Sequence, residues 1–207
     1  MKFYKYISEY DSLNYGKEDL THRELQIVET LEQRCRPFLK DWKRCKSKKL
    51  LMSGRKRVSS SFIGEIRKDR RPYMTLTPVH NIMDDVFEEK FGYRARSQSL
   101  FCSTLWNVAE GYGNPFIIFP IGKYEIIWSD MIEDLYFIVG NKRSIEYSEA
   151  QDIVNKYQKG NLCQALGTIN EIMLLCDEYL AVNTESSNYP YNPDKILEMI
   201  NIATWQL

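Results

Sequence analysis

The chain has 207 residues, 43% of them hydrophobic and 27% charged, which is enough for one substantial core and excludes wholesale disorder. No apolar run approaches the ~20 residues of a membrane span, and the opening stretch MKFYKYISEY lacks the apolar core of a signal peptide. We therefore expect one globular unit, located in the cytoplasm and without a membrane segment.

Charge is unevenly distributed along the chain, although the net charge is zero. Residues 1–71 hold 19 lysines and arginines against 10 aspartates and glutamates, and the remainder holds 9 against 18. A basic segment favours contact with nucleic acid, because phosphate binding is largely electrostatic. Two other interpretations stay open: the two parts complement each other by packing together, or the basic face is simply solvated.

The cysteines and histidines argue against a covalent or metal framework. The five cysteines are scattered and odd in number, which is typical of reduced thiols. No CxxC pair occurs, and the two histidines, His22 and His80, are too far apart for the usual spacing of zinc ligands. We expect neither a disulfide framework nor a structural metal.

The first third of the chain predicts helices followed by strands. Residues 19 to about 46 have helical spacing, with a capping box at Thr21 and Glu24 and a break or kink at Pro37. The apolar run LLMSG and the β-branched, serine-rich stretch VSSSFIGEI are typical of strands. The segment RKDRRPYMTLTP predicts a charged loop.

The middle of the chain predicts a helix and then strands. Thr77 and Pro78 indicate the cap and first turn of a helix that ends at Gly92. SLFCST predicts a strand, and LWNVAEGYG predicts a short helix that ends in glycine. FIIFPIG and YEIIWS predict two further strands, broken by Pro120 and Gly122.

The last third adds helices around one more strand segment. Helices are predicted over 144–158 and around 162–166, and EIMLLCDEYLAV predicts a late strand or strand pair. The tail after Pro193 predicts one amphipathic helix. Helices first and a strand-rich body later indicate the α+β class rather than regular βαβ winding.

Three segments stand out as candidates for a site, whereas motifs such as GxSxG, GxxxxGK[ST] and HExxH are absent from the sequence. The first is LLMSG, whose Gly54 allows a ligand to approach the backbone. The second is LFCST with NVAEGYG, a strand leading to Ser103, Thr104 and a small helix with the aromatic Tyr112. The third is NEIML, where the carboxylate of Glu171 opens an apolar strand and is not expected for packing alone.

The order and character of these segments resemble the ADP-ribosyltransferase superfamily, particularly its poly-ADP-ribose-polymerase, tRNA-phosphotransferase and DNA-modifying toxin branches, over about residues 48–182. Members typically have a strand ending in His-Gly or Arg-Gly. A strand then leads to Ser/Thr and a helix with Ala and Tyr, and a late strand opens with the catalytic Glu. The matching positions here are Gly54, then Ser103, Thr104, Ala109 and Tyr112, and then Glu171.

The resemblance implies both a fold and a division of the chain. The fold is an ADP-ribosyltransferase-like core with a mixed sheet, N-terminal helices and a C-terminal helix. Residues 1–47 would be a helical extension packed on the core, and residues 48–207 would be the ADP-ribosyltransferase-like domain.

The resemblance also implies an activity: transfer of ADP-ribose from NAD, as substrate, to a protein or nucleic-acid acceptor, as in phage or toxin transferases. Glu171 would be the catalytic carboxylate and Tyr112 would stack on nicotinamide. Ser103 or Thr104 would orient the ribose or amide near Gly54. Arginines, with Arg67 and Arg70 as our candidates, would grip the pyrophosphate. No metal is implied.

One departure from the family pattern leaves an alternative open. Ser53 stands where the family has His or Arg, so either a nearby arginine supplies the missing charge or the site has lost NAD binding. In the second case the protein would be catalytically inactive. It would then bind nucleic acid or a protein partner through its basic residues 23–71.

Overall fold

The computed structural model describes residues 20–57, 59–71, 75–184 and 193–205. Within these ranges the chain forms eight strands and nine helices, which confirms the predicted α+β class. The strands are β1 Met52–Arg55, β2 Ser61–Glu65, β3 Leu100–Cys102, β4 Asn114–Ile121, β5 Glu125–Trp128, β6 Gln158–Lys159, β7 Ile172–Leu175 and β8 Glu178–Asn183. The helices are α1 His22–Arg34, α2 Arg36–Arg44, α3 Thr77–Phe91, α4 Ala95–Gln98, α5 Trp106–Glu110, α6 Leu135–Val139, α7 Tyr147–Val154, α8 Leu162–Ala165 and α9 Pro193–Thr204.

The described strands form two antiparallel sheets of four strands each, so the single mixed sheet implied by the family resemblance was wrong. Their orders are β1-β4-β8-β2 and β3-β7-β5-β6. The sheets meet where Met52 of β1 pairs with Ser103, just after β3, through two backbone hydrogen bonds of 2.8 and 2.9 Å. The late strand segment is a pair, as one alternative predicted: β7 lies in the second sheet and β8 in the first.

The hydrophobic core is continuous across the first sheet and one face of the second. Helices α1, α2 and α9 bury their apolar faces in the same cluster as β4 and β8. The opposite face of the second sheet packs against α3, α6 and α7. Among the described residues, no helix has both the length and the apolar character needed to cross a membrane.

The predicted helix starts were partly right. The capping box forms, with the Glu24 carboxylate accepting from the Thr21 N–H at 2.7 Å. The break between the first two helices falls at Cys35, however, and Pro37 lies in the first turn of α2, where a missing N–H leaves no bond unmade. Thr77 is the first residue of α3 rather than its cap, because Leu76 occupies the cap position without a side-chain bond.

Several predicted boundaries were wrong. Pro120 does not break a strand but lies inside β4, paired with Tyr179 of β8. It is tolerated because β1 pairs only with residues 114–117, so this end of β4 has a single strand neighbour. The helix predicted over 144–158 is shorter, and α4, α6 and β6 were not predicted at all. Gly92 does end α3, with a left-handed φ of 78°.

The expectation of wholly reduced cysteines was wrong. Cys45, after α2, and Cys163, in α8, form a disulfide, with their Cα atoms 4.9 Å apart. The other three, Cys35, Cys102 and Cys176, are buried free thiols. Because 118 residues separate the bonded pair, spacing along the sequence gave no sign of it.

Candidate functional site

Glu171 lies at the junction of three chain segments. It directly precedes β7, whose first residue, Ile172, pairs with Cys102 of β3 on one side and with Trp128 of β5 on the other. The Glu171 N–H donates to the Glu133 carbonyl oxygen at 2.8 Å. Antiparallel register therefore places Glu171 beside Ser103, the residue that follows Cys102.

The Glu171 carboxyl group is in an environment that disfavours its charge. Its Oε1 atom is sealed from solvent and has no hydrogen-bond partner among the residues that the structure describes. Burial and the neighbouring Asp134 carboxylate raise the pKa of Glu171 to about 7, and the charges of Arg96 and Arg70 oppose that rise. Such a group changes its protonation state near neutral pH, as catalytic carboxyl groups often do.

Two arginines act on Glu171. Arg70 lies over the Phe101 ring, with its guanidinium carbon 4.0 Å from the ring centroid. Arg96 is 3% exposed and donates from Nη2 to the Thr75 hydroxyl at 3.0 Å. Its buried Nε has no hydrogen-bond partner within the described part of the chain. Burial lowers the pKa of both arginines, whereas the Glu171 charge raises it. Since arginine starts from a very high pKa, both stay cationic and are able to hold an anion.

Tyr112 adds an aromatic surface beside these charges. It follows α5 and is 64% exposed, so most of its ring is open to a stacking partner. Burial of the phenol and the carboxylates of Asp134 and Glu171 raise the pKa of Tyr112, and Arg70 opposes them. The structure thus brings Arg70, Tyr112 and Glu171 into one electrostatic neighbourhood.

The two predicted hydroxyl residues, Ser103 and Thr104, make hydrogen bonds that stabilise the turn between β3 and α5. Both are buried. Ser103 Oγ accepts from the Leu105 N–H at 3.1 Å, and Thr104 Oγ1 donates to the Thr168 carbonyl at 2.7 Å. The Thr104 proton is therefore committed within the chain.

Gly54 allows a close approach by the chain itself. A Cβ atom at this position would lie 2.0 Å from the Ala109 carbonyl oxygen and 2.8 Å from the Tyr112 carbonyl carbon. The glycine therefore lets the backbone of β1 touch the end of α5, which fixes the turn carrying Tyr112. This contact explains the glycine without a ligand.

Arg67 stands apart from the group. Its side chain is 71% exposed and pairs with Asp69, the Nε–Oδ1 distance being 3.3 Å. The charges that shift Glu171 come from Asp134, Arg96 and Arg70, not from Arg67. The structure does not bring this predicted residue to the site.

Three residues of the site were not predicted. They are Arg96, Asp134 and Tyr157; the Tyr157 hydroxyl is buried without a partner and has its pKa raised by burial and by Glu171. Asp134 caps α6, accepting from the Tyr136 N–H at 2.7 Å, and an aspartate before the apolar run LYFIV is a signal that could have found that cap. Nothing in the sequence distinguishes Arg96 from the exposed arginines.

Ser53, the departure from the family pattern, is buried at 7% exposure on β1. Arg55 follows two residues later and so lies on the same strand face. Its Nη2 donates to the Tyr179 hydroxyl at 2.8 Å, and its Nε is buried without a partner. A cation thus stands near the position that Ser53 leaves uncharged, and the Arg55 charge acts on Arg70.

Comparison of the chain with protein-family models, with curated proteins and with solved structures gives no match in any of the three. Within the described residues, no group of three or more His, Cys, Asp or Glu side chains is arranged to hold a metal ion. The chemistry that the site offers is a carboxyl group that titrates near neutrality, two confined guanidinium groups and an exposed aromatic ring.

Proposed function

We propose that the protein is an NAD-dependent ADP-ribosyltransferase that modifies a protein or a nucleic acid, with an ADP-ribosyltransferase-like core of phage or toxin type. The observation that carries the proposal is the arrangement around Glu171. A carboxyl group at the start of a late strand has its pKa raised by burial and by a second carboxylate, against the charges of two arginines, with Tyr112 beside them. These are groups of the kinds that a ribose, a pyrophosphate and a nicotinamide ring require.

The proposed reaction breaks the bond between nicotinamide nitrogen and ribose C1′. The electron pair of that bond leaves with nicotinamide, and the ribose passes through an oxocarbenium-like transition state, as in glycoside hydrolysis. The acceptor nucleophile then bonds to C1′ and loses its proton. Ionised Glu171 accepts a hydrogen bond from a ribose hydroxyl and stabilises the developing positive charge, which lowers the barrier more than it tightens ground-state binding.

The arginines fit an anionic diphosphate. Arg70 and Arg96 are both confined beside Glu171, and the buried Nε of Arg96 lacks a partner within the described residues. An arginine binds phosphate oxygens through several fixed N–H groups. In the proposed assignment Arg70 contacts the pyrophosphate and the buried Arg96 adds positive charge behind it, whereas Arg67 takes no part. Tyr112 stacks on nicotinamide, and Ser103 donates to the ribose or the amide.

The experiment follows nicotinamide release from labelled NAD by the purified protein, with and without DNA, RNA and cell lysate. Glu171→Gln keeps the size of the side chain and removes its charge, so release should fall at least ~100-fold with NAD binding largely kept. Glu133→Gln is the matched control, because Glu133 is an exposed glutamate whose contact with Glu171 is made by its backbone. Release that survives in Glu171→Gln would remove this residue from the mechanism.

A second candidate function, binding of nucleic acid or an acidic partner, is favoured by one face of α2. Arg36, Lys40, Lys43 and Arg44 are all exposed on this nine-residue helix. Binding by such a face weakens steeply with salt, because counterions are released. Lys40→Glu should weaken binding to labelled DNA or RNA, whereas Arg143→Glu should not, because Arg143 is exposed between α6 and α7, which pack on the other face of the second sheet. This second function would be favoured if nicotinamide release is absent under all conditions and only the α2 variant weakens binding.

A further inference from the structure

A buried carboxylate on α3 holds the short helix that carries Arg96. Asp84 is fully buried. Its Oδ1 accepts from the backbone N–H of Arg96 at 2.8 Å and of Ser97 at 3.3 Å, and its Oδ2 accepts from the Ser97 hydroxyl. Helix α4 has only four residues and no side-chain cap of its own, so Asp84 satisfies N–H groups at its start.

The same short helix also holds Arg70. The Arg70 N–H donates to the Ser97 carbonyl oxygen at 3.1 Å. Ser97 therefore donates to Asp84 from its N–H and its hydroxyl, and its carbonyl oxygen accepts from the Arg70 N–H. The backbones of both arginines that act on Glu171 are linked through this one residue.

His80 completes the cluster as a neutral donor. Its Nε2 lies 3.0 Å from Ser97 Oγ and 3.3 Å from Asp84 Oδ2. Because the Ser97 hydroxyl donates to Asp84, the proton of the ring belongs on Nε2, which leaves Nδ1 as the buried atom without a partner. Burial lowers the pKa of His80, the Asp84 carboxylate opposes that shift, and the nearby arginine charges add to it.

We propose that Asp84 is a positioning residue for the site: by gripping Ser97 and the backbone of Arg96, it fixes where the guanidinium groups of Arg70 and Arg96 stand relative to Glu171. Asp84 itself does not touch reacting atoms. That the charges of these two arginines serve a bound pyrophosphate rests on the proposed function. That their position depends on Asp84 rests on the hydrogen bonds alone.

The test measures the pKa of Glu171 by ¹³C NMR of its side-chain carboxyl group in the intact chain. In Asp84→Ala, Arg70 and Arg96 are no longer held in place beside Glu171, and their charges lower its pKa less. The pKa of Glu171 should therefore rise by about one unit relative to the wild type. If the substitution acted only by removing the negative charge of Asp84, the pKa of Glu171 would fall instead. Asp134, the other charged group that shifts the pKa of Glu171, is not altered by this substitution.

Asp85→Asn is the matched control. It removes the same charge one position along α3, but Asp85 pairs with the Arg94 guanidinium at 2.6 Å and not with the α4 backbone. In the Asp85→Asn variant the pKa of Glu171 should be unchanged or slightly lower than in the wild type.

A second variant covers the case in which Asp84→Ala does not fold. Asp84→Asn keeps one oxygen that accepts from the Arg96 N–H but loses the anionic partner of Ser97. The pKa of Glu171 should therefore rise in this variant too, by less than in Asp84→Ala. A Glu171 pKa that is unchanged or lower in the folded Asp84 variant overturns the proposal.

Nicotinamide release by the wild-type protein separates the two proposals. If release is absent while the Glu171 pKa rises as expected, the proposed function fails and the positioning role stands. If release is present while the pKa does not move, the positioning role alone fails.

Discussion

The backbone N–H of Glu171 donates to the carbonyl oxygen of Glu133, and this bond places Asp134 next to the start of β7. Two carboxylates 37 positions apart in sequence are held together although the Asp134 charge disfavours ionisation of Glu171. Burial and this neighbouring charge together raise the pKa of Glu171. Like-charge confinement of this kind is typical of functional sites rather than of packing.

The first prediction concerns the pH dependence of turnover. The proposed mechanism needs ionised Glu171, and its pKa is about 7, so nicotinamide release should increase as pH rises through about 7 and then level off. Asp134→Asn removes one of the two causes of the raised pKa, so the curve should move to lower pH. A pH–rate profile measured on both proteins tests this, and an unchanged midpoint in Asp134→Asn would contradict it.

The second prediction concerns stability and pH. The folded-state pKa of Glu171 is raised to about 7 from an ordinary 4.5, so its stabilising contribution is present below about pH 4.5 and is lost as pH rises through 7. Glu171→Gln should therefore be more stable than the wild type at pH 8, by up to about 3 kcal/mol, with the difference vanishing towards pH 4.5. Urea unfolding at the two pH values measures it, and a Gln variant less stable at pH 8 would refute it.

The third prediction concerns the contact between β1 and α5. Gly54→Ala places a Cβ atom 2.0 Å from the Ala109 carbonyl oxygen, a clash with backbone that no rotamer relieves. The free energy of unfolding should fall by about 1–3 kcal/mol or more. Gly111→Ala is the control, since its Cβ atom would meet nothing closer than 3.5 Å. Equal stability of the two variants in urea would show that β1 and α5 are further apart.

The fourth prediction concerns the disulfide. Unfolded protein without reductant should expose three reactive thiols, and reduction should raise that number to five. Breaking a bond that spans 118 residues should also lower the melting temperature, because such a cross-link contributes about 4–5 kcal/mol in the chain-entropy account. Cys45→Ala with Cys163→Ala should melt at the same temperature with and without reductant. Five thiols before reduction would contradict the pairing.

Local chemistry made much of the fold predictable. The capping box at Thr21 and the left-handed Gly92 fix two helix ends through contacts within a few residues, and short apolar runs located β1, β3 and β7. The candidate site was predictable only where a residue stood out from its neighbours, as Glu171 does before an apolar strand. Arg96 and the bond between Cys45 and Cys163 depend on tertiary contacts that no local pattern records.

Arg67 and Arg70 illustrate the same limit within one segment. Both belong to a charged stretch that predicts a loop, and neither position has a periodic signal. Packing separates them: Arg70 lies over Phe101 towards the site, whereas Arg67 pairs with Asp69 at the surface. Which arginine of a charged loop turns inward is decided by the side chains opposite it.

The strand that begins at Ile172 leaves the second sheet at Leu175 and enters the first at Glu178. Only Cys176 and Asp177 lie between, and each residue has two soft backbone torsions, so four rotations link the sheet holding Glu171 to the sheet holding β1. The two sheets are thus tied together twice, by this two-residue connection and by the pairing of Met52 with Ser103, so neither can shift far without the other.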